Sequence, residues 1–220
     1  MTFLWILIAA LLGFIIAAVF AGKMKLELNL YLLIYIPLVA VFFVSFIISN
    51  GLNLIELISN NLLWGFAGAI IAGGLVIRNV LSQPASERNA GLALLSDIIW
   101  PGLAYGLSDS LLLSVLPVLS VKLALTGNVW SSSIAGKIGF GTVAMLASLF
   151  VTTLYHLGYP EFRGKRVIWP NIGNGVLTLA YLLTMNPLAA ILPHIAMHIA
   201  AMIHGRETTG QVPPHYNSTN

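Results

Sequence analysis

Apolar residues run along this chain in long blocks of about 20, separated by short polar stretches. Residues 3–21 form the first block and end at "GKMKLELN"; residues 30–49 form the second and stop at "NGLN". A short amphipathic piece, "LIELISNN", leads to a third block at 62–79, which the aqueous loop "RNVLSQPASERNAG" closes. The fourth block, 92–121, is long for one helix and contains Pro101, Gly102, Gly106 and Pro117, so it predicts either one kinked helix or a broken pair. A fifth block covers 138–156, and 175–204 is best cut at "TMNP" into two short helices. Blocks of this length match the hydrocarbon thickness of a bilayer. A membrane β-barrel would need alternating apolar and polar positions, and "WILIAALLGFIIAAVFA" has none. The expected fold is an all-α, polytopic transmembrane helical bundle of about seven spans, eight if 92–121 is broken in two. Residues 1–205 are expected to form one transmembrane domain, and 206–220 a polar, disordered tail.

Charge orients these spans. With the loop at 22–29 taken as cytoplasmic, that side collects Lys23, Lys25, Arg78, Arg88, Arg163, Lys165, Arg166 and Arg206, and the other side only Lys122 and Lys137. The positive-inside rule then predicts an N-terminus outside and a C-terminus in the cytoplasm. A hairpin at 92–121 would send "RGKR" outside, so one long kinked helix is favoured. The net charge of +3 reports this orientation, and no nucleic-acid partner is expected. The absence of cysteine excludes disulfides, cysteine-ligated iron–sulfur clusters and cysteine nucleophiles. The N-terminus lacks the basic start of a signal peptide and reads as the first helix.

Against this background the ionisable groups inside the blocks are the candidate chemistry, because such groups usually face the protein interior. Asp97 lies near the predicted cytoplasmic end, where it reaches water or caps a turn. Asp109 is deeper, in a polar patch with Tyr105, Ser108 and Ser110. His194 and His198 in "PHIAMHIAAMIHG" are spaced i, i+4, which puts both rings on one helix face, the spacing by which a helix offers two ligands to one metal. His156 ends the fifth span; His204 and His215 read as surface groups. Asn171, Asn174, Thr178 and Tyr181 recur at helical spacing, as hydrogen-bonding contacts between helices or as pocket groups, with Gly173 and Gly175 allowing close approach.

The order of these elements resembles the CAAX protease and bacteriocin-processing (CPBP) family of intramembrane proteases, over roughly residues 90–205. That family carries EExxxR on one helix, FxxxH on a later one, and HxxxN or a variant on the last. "NGVLTLAYLLTMNPLAAILPHIAMHIAAM" resembles the closing block, with His194 on the motif histidine and His198 where asparagine is usual. "SLFVTTLYH" resembles the middle block and places His156 on its histidine, with Thr152 in place of the phenylalanine. In "GLSDSLLLSVLP", Ser108 and Asp109 stand where the glutamates are expected, and the arginine has no counterpart. The resemblance implies a hydrolase in which Asp109 activates water and His156 and His194 stabilise the oxyanion, and so a membrane-associated peptide or prenylated protein as substrate. Tyr105, Ser108, Asn174 and Tyr181 are the candidate pocket residues. The resemblance implies no cofactor, whereas the donor set itself, Asp109, His156, His194 and His198, would also suit a divalent metal. The alternatives are a non-catalytic relative that binds a lipid, metal or protein, and a small transporter or channel, which the lack of repeats disfavours.

The charge bias sets a direct test. A reporter fused after Arg206 is expected on the cytoplasmic side, and one inserted near Ser132 outside; a cytoplasmic signal at Ser132 would overturn the seven-span topology.

Overall fold

The computed structural model describes residues 2–125 and 133–205; the loop around Ser132 and the tail 206–220, His215 included, lie outside the described residues. Among the described residues all regular structure is helical, as the block pattern predicts. The helices are α1 (Thr2–Lys23), α2 (Leu28–Ser49), α3 (Leu54–Ser59), α4 (Leu62–Leu81), α5 (Gly91–Leu125), α6 (Ile134–Leu157), α7 (Ile168–Thr184) and α8 (Leu188–His204). Of these, α1, α2, α4, α5 and α6 are long and apolar enough to cross a membrane. Helices α7 and α8 have 17 residues each, about 25 Å at 1.5 Å per residue, and join through the expected break, where Met185 turns left-handed with φ 54°. Large apolar side chains face outward along the long helices, among them Leu4, Leu7, Leu11 and Ile15 on α1 and Ile70 and Ile71 on α4. A surface of this kind is matched to lipid, and the chain is a multi-pass membrane protein.

Helix α5 is the axis of the bundle. Within its most apolar 18-residue window 72% of residues are buried, against 22–33% in the other four long helices. It runs unbroken from 91 to 125, so the region is one helix. The irregularity expected from its prolines and glycines takes the form of two π-helical turns, Ile98–Ala104 and Leu111–Val115. The first contains Pro101, whose missing N–H and ring a widened turn accommodates. Between them lies the short α-helical segment Tyr105–Ser110, which carries Asp109.

Gly102 and Gly106, one helical turn apart on α5, form a small-xxx-small face against α8. A Cβ at Gly106 would sit 2.9 Å from the Ile195 Cα and 3.3 Å from the His194 carbonyl oxygen. The α5 backbone therefore lies directly on the part of α8 that bears the two histidines. By contrast Gly173 on α7 has nothing within 4 Å of where its Cβ would be, and Gly175 meets only Leu149 at 3.8 Å. The close approach expected at these two α7 glycines is made instead by the α5 pair.

At the other end of α8, the loop between α4 and α5 closes over the helix terminus. Arg88 Nη1 donates to the Ile203 carbonyl at 3.1 Å and the Ser86 N–H to the His204 carbonyl at 3.2 Å. His204 is half-buried rather than a free surface group, because its Nε2 donates to the Gln83 carbonyl at 2.6 Å. Asp97 is likewise buried at 6% exposure, accepting from Asn89 Nδ2 at 2.8 Å, and its carboxylate ties down the same loop instead of reaching water.

Gly106→Ala is expected to cost about 1–3 kcal/mol, since the obstructing atoms are backbone and cannot rotate away. Gly74→Ala, at a helical site with nothing within 4 Å, is expected to be neutral or to stabilise by about 0.4–1 kcal/mol. Thermal unfolding of the two purified variants in detergent checks the contrast.

Candidate functional site

Where α5 meets α8, the Asp109 carboxylate is enclosed on both oxygens. Tyr35 on α2 donates its hydroxyl hydrogen to Oδ1 at 2.6 Å. The other oxygen, Oδ2, faces two imidazoles: His198 Nε2 at 3.6 Å and His194 Nε2 at 4.0 Å. The i, i+4 spacing brings the two rings nearly parallel, with centroids 5.3 Å apart and planes 19° from each other. Asp109, His194 and His198 are all buried, and one ligand atom from each lies within 4.8 Å of the others. Among the described residues no atom bonds the Nδ1 of His194 or of His198, although both are buried.

A small cavity adjoins this group. Asp109, His156, His194, His198 and Asn174 line it, together with the apolar Leu113, Trp169, Pro170, Gly173, Leu177 and Met197. Its volume is about 30 Å³, room enough for a water. His156 thus joins the cavity but stands outside the tight three-residue group. Its Nδ1 lies 2.8 Å from the Thr152 carbonyl, and a carbonyl only accepts, so Nδ1 carries the proton and Nε2 of the neutral ring is an acceptor. The residue at position 152 thus orients the histidine through its backbone, which any side chain there would allow.

The candidate pocket residues divide. Asn174 lines the cavity, yet its amide is already committed: Oδ1 accepts from Ser114 at 2.7 Å, and Nδ2 donates to Ser148 Oγ at 2.9 Å and Thr152 Oγ1 at 2.7 Å. Thr178 joins the same network through Ser114 at 3.1 Å and Ser148 at 2.8 Å. Asn171 accepts from Thr153 on α6 at 3.0 Å. The polar stripe on α7 therefore ties α5, α6 and α7 together. Ser108, Tyr105 and Tyr181 do not line the cavity. Ser108 turns back to the Ala104 carbonyl at 2.9 Å, as a serine in a helix readily does. Tyr105 supports the site from behind, edge-on to His198 with centroids 4.8 Å apart.

Sequence reasoning missed the floor beneath Asp109. Tyr31, Tyr105, Tyr155 and Tyr159 are fully buried and share their hydroxyls: Tyr105 with Tyr155 at 2.7 Å, Tyr155 with Tyr31 at 3.2 Å and with Tyr159 at 3.0 Å, and Tyr159 with Tyr31 at 2.7 Å. Tyr35 stacks on this group, 5.5 Å from Tyr31 and 5.6 Å from Tyr155 between centroids, and turns its own hydroxyl to Asp109. Burial holds the Tyr159 phenol, in the turn after α6, well above its ordinary range, so it keeps its proton to donate. The signal was present: "YLLIY" and "YHLGY" each place two tyrosines one helical turn apart.

No protein-family model matches the chain, and neither a characterised protein nor a solved structure is significantly similar to it.

Asn174→Ala is expected to destabilise the bundle by about 1–2 kcal/mol, because Ser114, Ser148 and Thr152 lose a common partner in a dry interior. Asn171→Ala removes one interhelical bond and is expected to cost about 0.6 kcal/mol, the average for such a bond in a membrane. Reversible unfolding in mixed detergent checks the ranking.

Proposed function

We propose that the chain is a membrane-embedded hydrolase of the kind its sequence resembles, the CPBP intramembrane proteases, acting on a membrane-associated peptide. One observation carries the proposal: a buried carboxylate, fixed through one oxygen by Tyr35, presents its other oxygen to two imidazoles beside a cavity of water size. A carboxylate so placed suits a general base, which must lie within hydrogen-bond reach of the water it deprotonates. Asp109 takes one proton from the water, and the resulting hydroxide adds to the peptide carbonyl carbon. His194 Nε2–H donates to the oxyanion. Asp109 then returns the proton to the departing amine as the C–N bond breaks. His156 lines the cavity, and since its Nδ1 carries the proton, the Nε2 of the neutral ring accepts; it fits a proton acceptor better than the oxyanion donor that the resemblance implies. The positive-inside bias favours an orientation in which the N-terminal end of α7, with Trp169 and Pro170 at the cavity wall, faces the cytoplasm. A channel reading gains nothing from a cavity that holds about one water.

The test is cleavage of a lipid-anchored or prenylated peptide by the full chain reconstituted in vesicles. Asp109→Asn is expected to lower the rate by about 10²–10⁴, the range for a general base. Gly173→Leu fills the cavity from the α7 side without altering Asp109 or the histidines, and is expected to abolish cleavage with unchanged thermal unfolding. Wild-type protein inert toward all such peptides would instead leave the chain a binding protein.

A further inference from the structure

We infer that Asp109, His194 and His198 form a binding site for one divalent transition metal ion. The inference follows from where the proton-free atoms point. Oδ2 of Asp109 and the Nε2 atoms of both histidines converge on one point inside the bundle, at 3.6 and 4.0 Å from carboxylate to imidazole. Those separations exceed the 2.7–3.2 Å of an N–H···O hydrogen bond, so the three groups do not satisfy one another directly. An ion bonded to each at about 2.0–2.2 Å with tetrahedral angles sets its ligands about 3.4 Å apart, so the two carboxylate–imidazole separations need to close by only a few tenths of an ångström. In the tautomer that binds an ion, with the imidazole protons on Nδ1 in place of the Nε2–H that donates in the ion-free hydrolytic step, three Lewis bases face one another in a medium of low dielectric, an arrangement that a cation between them stabilises.

Two further features belong to a ligand set and not to a simple polar contact. The i, i+4 histidines present both Nε2 atoms from one helix face. Asp109 has one oxygen free toward them, while Tyr35 holds the other at 2.6 Å, as an outer hydrogen bond orients a carboxylate ligand. Two imidazoles and a carboxylate suit zinc, iron or manganese, and the nitrogen donors disfavour magnesium and calcium. Three protein ligands leave a coordination position, and the adjoining cavity, with His156 on its wall, has room for one water there. The use of the ion in water activation rests on the hydrolytic proposal; its binding does not. With the ion present, Asp109 is a ligand, and the acceptor for a proton in the cavity is His156.

The Nδ1 atoms of both histidines lack partners, so the imidazoles miss the outer hydrogen bonds that usually raise affinity about 10–100-fold. Binding should therefore be measured against free ion over the micromolar range. The full chain, purified in detergent and stripped with a chelator, is titrated with Co²⁺ alone and then Zn²⁺ alone, reading cobalt d–d absorption and bound metal per chain. One ion per chain is expected, lost in His194→Ala and in His198→Ala and kept in His204→Ala. Tyr35→Phe, which leaves every ligand in place, is expected to weaken binding 10–100-fold, and it decides the matter if an alanine variant fails to fold. Sub-stoichiometric metal, or binding equal in the wild type and all four variants, overturns the site. Asp109-dependent peptide cleavage by metal-free protein would overturn the ion's role in hydrolysis and leave the hydrolase standing. Stoichiometric, histidine-dependent metal with no cleavage of any peptide would do the reverse.

Discussion

A carboxylate in the middle of a membrane bundle is the constraint around which this molecule is organised. Removing an ionised group from water costs several kcal/mol even after the protein relaxes, and the cost is recovered only through close partners. Asp109 sits on the most buried helix; a hydroxyl from α2 bonds one of its oxygens, and two imidazoles from α8 face the other. Each partner needs its helix at short range. The Gly102 and Gly106 face lets α8 lie on the α5 backbone, and the stacked tyrosines hold α2 where Tyr35 can reach Oδ1. The π-helical turns on either side of Tyr105–Ser110 change the helical phase locally, and the segment between them carries Asp109.

The interior holds two kinds of polar cluster, and the difference between them separates scaffold from site. Ser114, Ser148, Thr152, Asn174 and Thr178 exchange hydrogen bonds of 2.7–3.1 Å. Such a network rigidifies three helices and has nothing left to offer a ligand. The tyrosine hydroxyls form a second saturated cluster. Asp109, His194 and His198 are the opposite case: the carboxylate faces two imidazoles beyond hydrogen-bond range, and both Nδ1 atoms are bare. Buried polar groups are rarely left unpaired without a reason. Ser110 and Ser120 also leave a buried hydroxyl unpaired, but only here does the left-over capacity belong to ionisable groups, among the described residues, that face one another beside a cavity.

Much of this was legible in the sequence, and what was not has a common cause. Span positions follow from the summed hydrophobicity of some 20 residues, a local quantity, and the histidine pair follows from helix geometry alone. The convergence of Asp109 with His194 was expected only because lone ionisable groups in lipid are unfavourable. Contacts between distant segments left weaker traces. His204 read as surface because nothing in "MIHG" reveals that the Gln83 carbonyl will lie above it, and Asp97 read as solvated for the same reason with Asn89. Gly173 and Gly175 read as a packing face and Gly102 and Gly106 as part of a kink; which pair a neighbour approaches is settled by tertiary structure. The tyrosine floor needs three segments up to 128 residues apart to meet, and each pair alone reads as ordinary core.

The size of the cavity limits how any substrate can reach Asp109. About 30 Å³ admits a water or an ion, and a peptide backbone requires the walls to part. The walls are not equally fixed. Between α5 and α8 the backbones touch at Gly106, so opening there would break close packing over the site itself. The α7 wall is different: Gly173 borders the cavity with no atom near its Cβ position, and Trp169 at the same wall is largely exposed. Below that point Asn174 and Thr178 pin α7 to α5 and α6. The cheapest enlargement is therefore a movement of the first turns of α7, from Ile168 to Gly173, about a hinge at Asn174, which gives up the Asn171–Thr153 hydrogen bond to α6. Such a movement leaves Tyr35, Asp109 and the histidine pair undisturbed, because their supporting contacts come from α2, α5 and α8. A rigid floor under Asp109 and a loosely packed wall beside the cavity are then set by the same two facts, where glycine meets backbone and where it meets open space.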